Sequence, residues 1–157
     1  MLAATSYRGM LMAERTLLHV DDDPELTALV QQWLAKYQMR TIPVNDPAQA
    51  MKQLERTRAR LVLLDVDMPG KNGLELLQEI KQFDGTILVV MLTGLVGQTT
   101  VIRSLRSGAE ACFFKPVRDI QPLVACLEDC FRKIDRWWKC LSELVERKRS
   151  LQGSLSG

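Results

Sequence analysis

The sequence predicts an α/β fold: a doubly wound, five-stranded parallel sheet of five βα units, with an extended C-terminal helix. Three observations predict it. Short apolar runs alternate along 157 residues with segments whose apolar residues recur at three-to-four spacing. Several runs are apolar throughout, the signature of strands covered by helices on both faces. Four of the five runs are followed by a carboxylate, a hydroxyl or an ammonium, as expected where parallel strands open on one ligand-binding crevice.

The elements follow in order. Thr16–Val20 forms the first strand and closes on Asp21, Asp22 and Asp23. Asp23 then Pro24 is an N-cap acceptor followed by proline at the first helical position, and Leu26, Leu29, Val30, Trp33 and Leu34 give the helix its apolar stripe. Met39–Val44 is the second strand. Asp46 then Pro47 repeats the cap, ahead of Ala50, Met51 and Leu54. Leu61–Leu64 is the third strand, closing on Asp65, with Leu74, Leu77 and Ile80 on the helix after it. Asp84-Gly85 turns the chain into a fourth strand, Thr86–Leu92. Val101, Ile102 and Leu105 mark the fourth helix, Gly108 ends it, and Ala111–Phe114 is the fifth strand.

The last helix begins near Asp119, with Pro122 in its first turn. Ile120, Leu123, Leu127, Cys130, Ile134, Trp137, Leu141 and Leu144 advance by alternate threes and fours, a heptad seam. Val124, Phe131, Trp138 and Val145 form a second line that widens the stripe. Glu128–Arg132, Asp129–Lys133, Asp135–Lys139 and Glu143–Arg147 are spaced as ion pairs across the solvent face. About 30 residues of helix would reach roughly 45 Å, beyond a compact domain. The expected division is residues 1–14 as a loose leader, 15–133 as the α/β domain, and 134–157 as a helical extension with a loose tail.

Composition excludes several classes. With 46% hydrophobic and 25% charged residues the chain is of ordinary globular make-up, and a net charge of +2 gives no general argument for nucleic-acid binding. The charge is locally skewed: Arg132 to Arg149 holds seven basic and three acidic residues. Cys112, Cys126, Cys130 and Cys140 lack Cys-x-x-Cys spacing and there is a single histidine, so no zinc site is expected. The cysteines are expected as reduced, half-buried thiols of a cytoplasmic protein. No stretch approaches the roughly 18 apolar residues of a membrane span. The leader lacks the pattern of a signal peptide.

The strand ends carry the chemistry. Asp21, Asp22 and Asp65 crowd like charges together, which a hard divalent cation relieves. Asp22 and Asp65 would be direct ligands of Mg2+, with Asp21 acting through water. Asp23 is consumed as a cap. Thr93 follows the fourth strand and Lys115 the fifth. A phosphoryl group on Asp65 would thus meet the metal, Lys115 and Thr93 on separate oxygens, the positioning that phosphoryl transfer requires. Asp65 would be the nucleophile of an acyl phosphate.

Val20-Asp21-Asp22, Leu64-Asp65 with Met68-Pro69-Gly70 and Gly73, Thr93-Gly94 and Lys115-Pro116 together resemble the receiver domain of bacterial response regulators, the CheY-like family, over roughly residues 15 to 133. The resemblance implies a cytoplasmic phosphorylation switch. Asp65 would accept a phosphoryl group from a sensor histidine kinase or phosphotransfer protein. Asp21, Asp22 and the backbone carbonyl of Asp67 would help hold Mg2+. Thr93 would move toward the phosphoryl group, Lys115 would pair with Asp65, and the Lys115-Pro116 peptide would be cis. Such a domain catalyses only its own phosphorylation and dephosphorylation. One position departs from the pattern: three residues before Lys115, where the family carries a switching aromatic ring, stands Cys112.

The apolar stripe past Ile134 would stand in water on a projecting helix, which points first to a homodimer through that helix, with a different partner or a fold back onto the domain as the alternatives. About 24 residues after Lys133 leave no room for a helix-turn-helix, so the expectation is a downstream protein target, with no direct DNA binding and no membrane. Two other readings stay open. One is a pseudo-receiver scaffold that dimerises without phosphorylation. The other is a phosphatase of the haloacid dehalogenase type, whose nucleophile motif Asp65-Val66-Asp67 resembles; that family carries it on the first strand.

Overall fold

The computed structural model describes residues 15–94 and 97–155. The leader at 1–14 and the last two residues of the tail lie outside the described residues. Five parallel strands, β1 (Arg15–Val20), β2 (Met39–Val44), β3 (Leu61–Leu64), β4 (Leu88–Thr93) and β5 (Ala111–Phe114), stand in the order β2-β1-β3-β4-β5. The helices are α1 (Pro24–Ala35), α2 (Ala50–Thr57, after a 3-10 turn at Pro47–Gln49), α3 (Gly73–Phe83), α4 (Gln98–Arg106) and α5 (Gln121–Leu155).

Alternation along each strand sorts the side chains into two cores. Leu18, Val20, Val62, Leu64, Val89 and Met91 face α2 and α3. Leu17, Leu61, Leu63, Leu88, Val90 and Leu92 face α1 and α5. Both faces of β3 and β4 are buried, which is why those runs are apolar throughout except at Thr93, the last residue of β4. The caps form as the sequence predicts. Asp23 accepts from the amides of Glu25 and Leu26, and Asp46 from that of Ala48.

Three differences have local causes. β4 starts at Leu88 rather than Thr86, because Asp84 takes both the amide and the hydroxyl of Thr86 and Leu88 makes the bond to Arg60 O. On α4, Ile102 and Leu105 face solvent, and the fully buried residue is Ser104, whose hydroxyl donates to Thr100 O. On α5, Arg132 pairs with Asp129 and Lys133 reaches Glu110 at 3.2 Å, tying the helix to the entrance of β5. The cysteines also diverge from a uniform half-buried set: Cys130 is buried and Cys140 is exposed, and all four are free.

The 35 residues of α5 span about 52 Å. Leu123, Val124, Leu127, Cys130, Phe131 and Ile134 are buried against the sheet. Beyond Ile134 the same columns continue into solvent: Trp137, Leu141, Leu144, Leu151 and Leu155 are exposed. No helix among the described residues is long and apolar enough to cross a membrane.

Candidate functional site

Parallel register brings the predicted residues together. Val20 pairs with Leu64, Leu64 with Met91, and Thr93 with Phe114, so the residues at or just past these strand ends share one edge of the sheet. The amide of Asp21 donates to Val44 O and that of Asp65 to Val20 O, which extends the ladder into the site and fixes both aspartates. Asp21, Asp65 and Thr93 are almost wholly buried, an unusual cluster for polar side chains.

Lys115 bridges the two buried carboxylates, with Nζ 2.6 Å from Asp21 Oδ2 and 3.1 Å from Asp65 Oδ2. The resemblance placed it on Asp65; it stands nearer Asp21. Burial pushes the Asp65 carboxyl above its usual range, against the opposing pull of the Lys115 charge. Burial also penalises the Lys115 ammonium, but its hydrogen bond to Asp21 and the two carboxylate charges outweigh that and raise its pKa.

Asp22 is exposed at the mouth of the site, and one carboxylate oxygen each from Asp21, Asp22 and Asp65 lies within 4.8 Å of the others. Three hard oxygen donors at that separation suit a divalent cation such as Mg2+. Lys115 occupies Oδ2 of both buried aspartates. The other oxygens are bound more lightly: Asp21 Oδ1 accepts from the amide of Asp23 and Asp65 Oδ1 from that of Asp67 at 3.4 Å. Asp67 itself is exposed. The Lys115-Pro116 peptide is cis.

Some of the site is not legible from strand ends. Gly73, the first residue of α3, donates to Val66 O, and a Cβ there would stand 1.9 Å from Asp65 O. Only glycine lets α3 approach the end of β3 so closely. Asn45 Nδ2 donates to Asp21 O and to Thr27 Oγ1, holding the β1–α1 corner. His19, the single histidine, is fully buried with Nε2 4.0 Å from Asp21 Oδ2. Burial and the nearby Lys115 charge lower its pKa to about 3, so the ring is neutral. Period-two alternation already puts His19 and Asp21 on one face, the signal that pairs them. Cys112 packs half-buried against the α2/α3 core, and burial pushes its thiol up.

The model of the response regulator receiver domain matches residues 17–128. The chain belongs to the response regulator receiver family. Curated relatives agree. The transcriptional regulatory protein CpxR of Klebsiella pneumoniae is 36% identical over 117 residues, 74% of this chain and 49% of that protein. The DNA-binding response regulator MtrA of Mycolicibacterium smegmatis is 34% identical over 107 residues, 68% of this chain and 46% of that protein. The chain thus spans about half the length of these relatives. Among solved structures, the BeF3-activated N-terminal receiver domain of Klebsiella pneumoniae RstA superposes with a TM-score of 0.70 at 30% identity, over 74% of this chain and 98% of that one. A receiver domain protein of Clostridium thermocellum gives 0.72 at 20% identity, covering 78% and 98%, a likeness of fold. The receiver fold, the five-stranded parallel sheet and the long last helix therefore stand together.

Proposed function

We propose that this receiver accepts a phosphoryl group on Asp65 from the phosphohistidine of a sensor kinase or phosphotransfer protein. The carrying observation is the convergence of Asp65 with Asp21, Thr93 and Lys115 at adjoining strand ends, all but the last wholly buried. An Asp65 carboxylate oxygen forms the new P–O bond as the P–N bond breaks, and the departing imidazole keeps the electron pair and takes a proton from water. Asp21, Asp22, Asp65 and the backbone carbonyl of Asp67 would hold Mg2+. The bound metal would supply positive charge to the phosphoryl oxygens. Lys115, already against Asp65, would follow the phosphoryl oxygens once the carboxylate charge moves out onto them. Thr93 would supply a hydroxyl to a third oxygen. The domain thereby catalyses only its own modification and its reversal.

Output runs by protein contact, with no DNA contact by this chain, in the cytoplasm. The half-exposed Ile102, Leu105 and Phe114 of α4 and β5 offer one surface, and α5 past Ile134 offers another for a homodimer. The phosphatase reading loses its support, since Asp65 closes β3 rather than the first strand. Incubation with a small phosphodonor and Mg2+, read by intact mass, tests the proposal. One added phosphate, absent in Asp65→Asn, is expected. Continuous donor turnover would favour a phosphatase, and no label would favour the pseudo-receiver scaffold.

A further inference from the structure

We infer that α5 pairs antiparallel with α5 of a second copy along residues 137–155, and that the far end of the second helix closes an apolar groove at the base of the first domain. This rests on the homodimer proposed above and adds its geometry. The groove holds about 360 Å³, and its lining includes Arg60, Ile134, Trp137, Trp138, Cys140 and Leu141. It lies where α5 leaves the sheet. Arg60 forms its wall, held by Asp84 and stacked 5.8 Å from the Trp138 ring, with its Nε buried and unbonded.

Area decides that a partner is needed. Trp137, Leu141, Leu144, Leu151 and Leu155 are 37 to 88% exposed on one face. Paired on two copies, these side chains alone bury on the order of 1,000 Å², and the flanking residues bring the contact to the size of a specific interface. A second copy fits because its own stripe has the same length, about 28 Å, and the same exposed face.

Two features fix the direction. First, the columns that carry the exposed stripe are those that carry Leu123, Leu127, Cys130 and Ile134 into the domain core. Each domain therefore sits on the side of α5 that the second helix must approach. Packed helices stand only about 8–10 Å apart, so parallel copies would force both domains into one space. Antiparallel copies place the domains at opposite ends. Second, Lys148 lies on the seam between Leu144 and Leu151. A parallel two-fold pair would set Lys148 against Lys148 in an apolar seam. Antiparallel pairing over 137–155 sets Trp137 opposite Leu155 of the second copy, Leu141 opposite Leu151, and Leu144 opposite Lys148, whose stem packs while its ammonium reaches water. The two copies of Arg147 approach at the two-fold, but on the exposed flank, where water and salt screen them.

The test uses the full chain. Sedimentation gives the oligomeric state. In a Cys140→Ser background, Leu141→Cys and Leu151→Cys variants are oxidised singly and as a mixture. A dimer in which only the mixture cross-links through the new thiols supports the inference. A dimer in which either variant cross-links to itself is parallel and overturns the geometry alone. A dimer with no cross-link in any sample also overturns it, since α5 is then not the interface. A monomer overturns the geometry and the homodimer together, while phosphorylation at Asp65, read separately by mass, is unaffected by any of these outcomes.

Discussion

The two ends of this receiver invert the packing rule in opposite directions. At the strand ends, Asp21, Asp65 and Thr93 are buried almost completely, where apolar residues belong. Along α5 past Ile134, Trp137, Leu141, Leu144 and Leu151 stand exposed, where polar residues belong. The first inversion is compensated inside the chain, by Lys115, by backbone amides and by the close seat of Gly73. The second has no comparable compensation among the described residues. Substitutions at the strand ends should therefore be felt in folding, and those on α5 in association.

The largest expected effect is at Gly73. A methyl there would enter the carbonyl of Asp65, so α3 must shift or β3 must give way. Gly73→Ala should cost about 3–5 kcal/mol by urea unfolding, at the upper end for single substitutions, and should lower the rate of phosphorylation in what remains folded. A loss below about 1 kcal/mol would mean that α3 is not seated on the nucleophile's strand. Leu144→Glu is the contrasting change. It should leave monomer stability within about 0.5 kcal/mol of the parent, as for an exposed position. It should weaken dimerisation by about 3 kcal/mol, since an apolar contact is lost from both copies. Sedimentation across concentration reads the shift.

These contrasts also show what the sequence could and could not carry. Asp21, Asp65, Thr93 and Lys115 were legible because each follows an apolar run, and parallel register brings such ends together without further information. The start of β4 was not, because Asp84 satisfies Thr86 locally and withholds it from the ladder. Nor was the outward face of α4, since spacing alone shows that Ile102 and Leu105 share a side but not which way it points. The closeness of Gly73 to Asp65 O and of Arg60 to Trp138 depends on how helices settle on the sheet, a tertiary fact with no local pattern.

Lys115→Met comes next in size. It leaves Asp21 and Asp65 buried without their cation, and should cost about 2–3 kcal/mol at neutral pH, somewhat less than a fully enclosed pair because Lys115 is partly exposed. Added Mg2+ should recover much of the loss. The pH dependence has a defined sign. The folded pKa of Asp65 is raised, so its burial costs stability as pH rises from 3.8 through that raised value. The Lys115 contribution has a raised folded pKa, so it is fully present below 10.5 and is lost as pH climbs through its folded value. The gap between parent and variant should accordingly narrow on acidification, as the Asp65 carboxylate takes up a proton, and again at strongly alkaline pH. A gap constant across pH would show that the lysine acts by packing alone.

The smallest effect separates neighbours within the acidic run. Asp23 spends one carboxylate oxygen on two amides of α1, at 3.0 and 3.1 Å. Asp22 is exposed beside the two buried aspartates, with an oxygen near theirs. Asp23→Ala should cost about 1 kcal/mol in stability, the usual worth of an N-cap, with Mg2+ affinity changed little. Asp22→Ala should do the reverse: it removes like-charge crowding, leaves the fold intact or slightly more stable without metal, and weakens Mg2+ binding at least tenfold. Thermal unfolding and Mg2+ titration on both variants give four measurements. If both variants lost metal equally, the run would be one electrostatic patch. If they separate as expected, adjacent identical residues have been divided between holding a helix and holding an ion by which way each side chain leaves the end of β1.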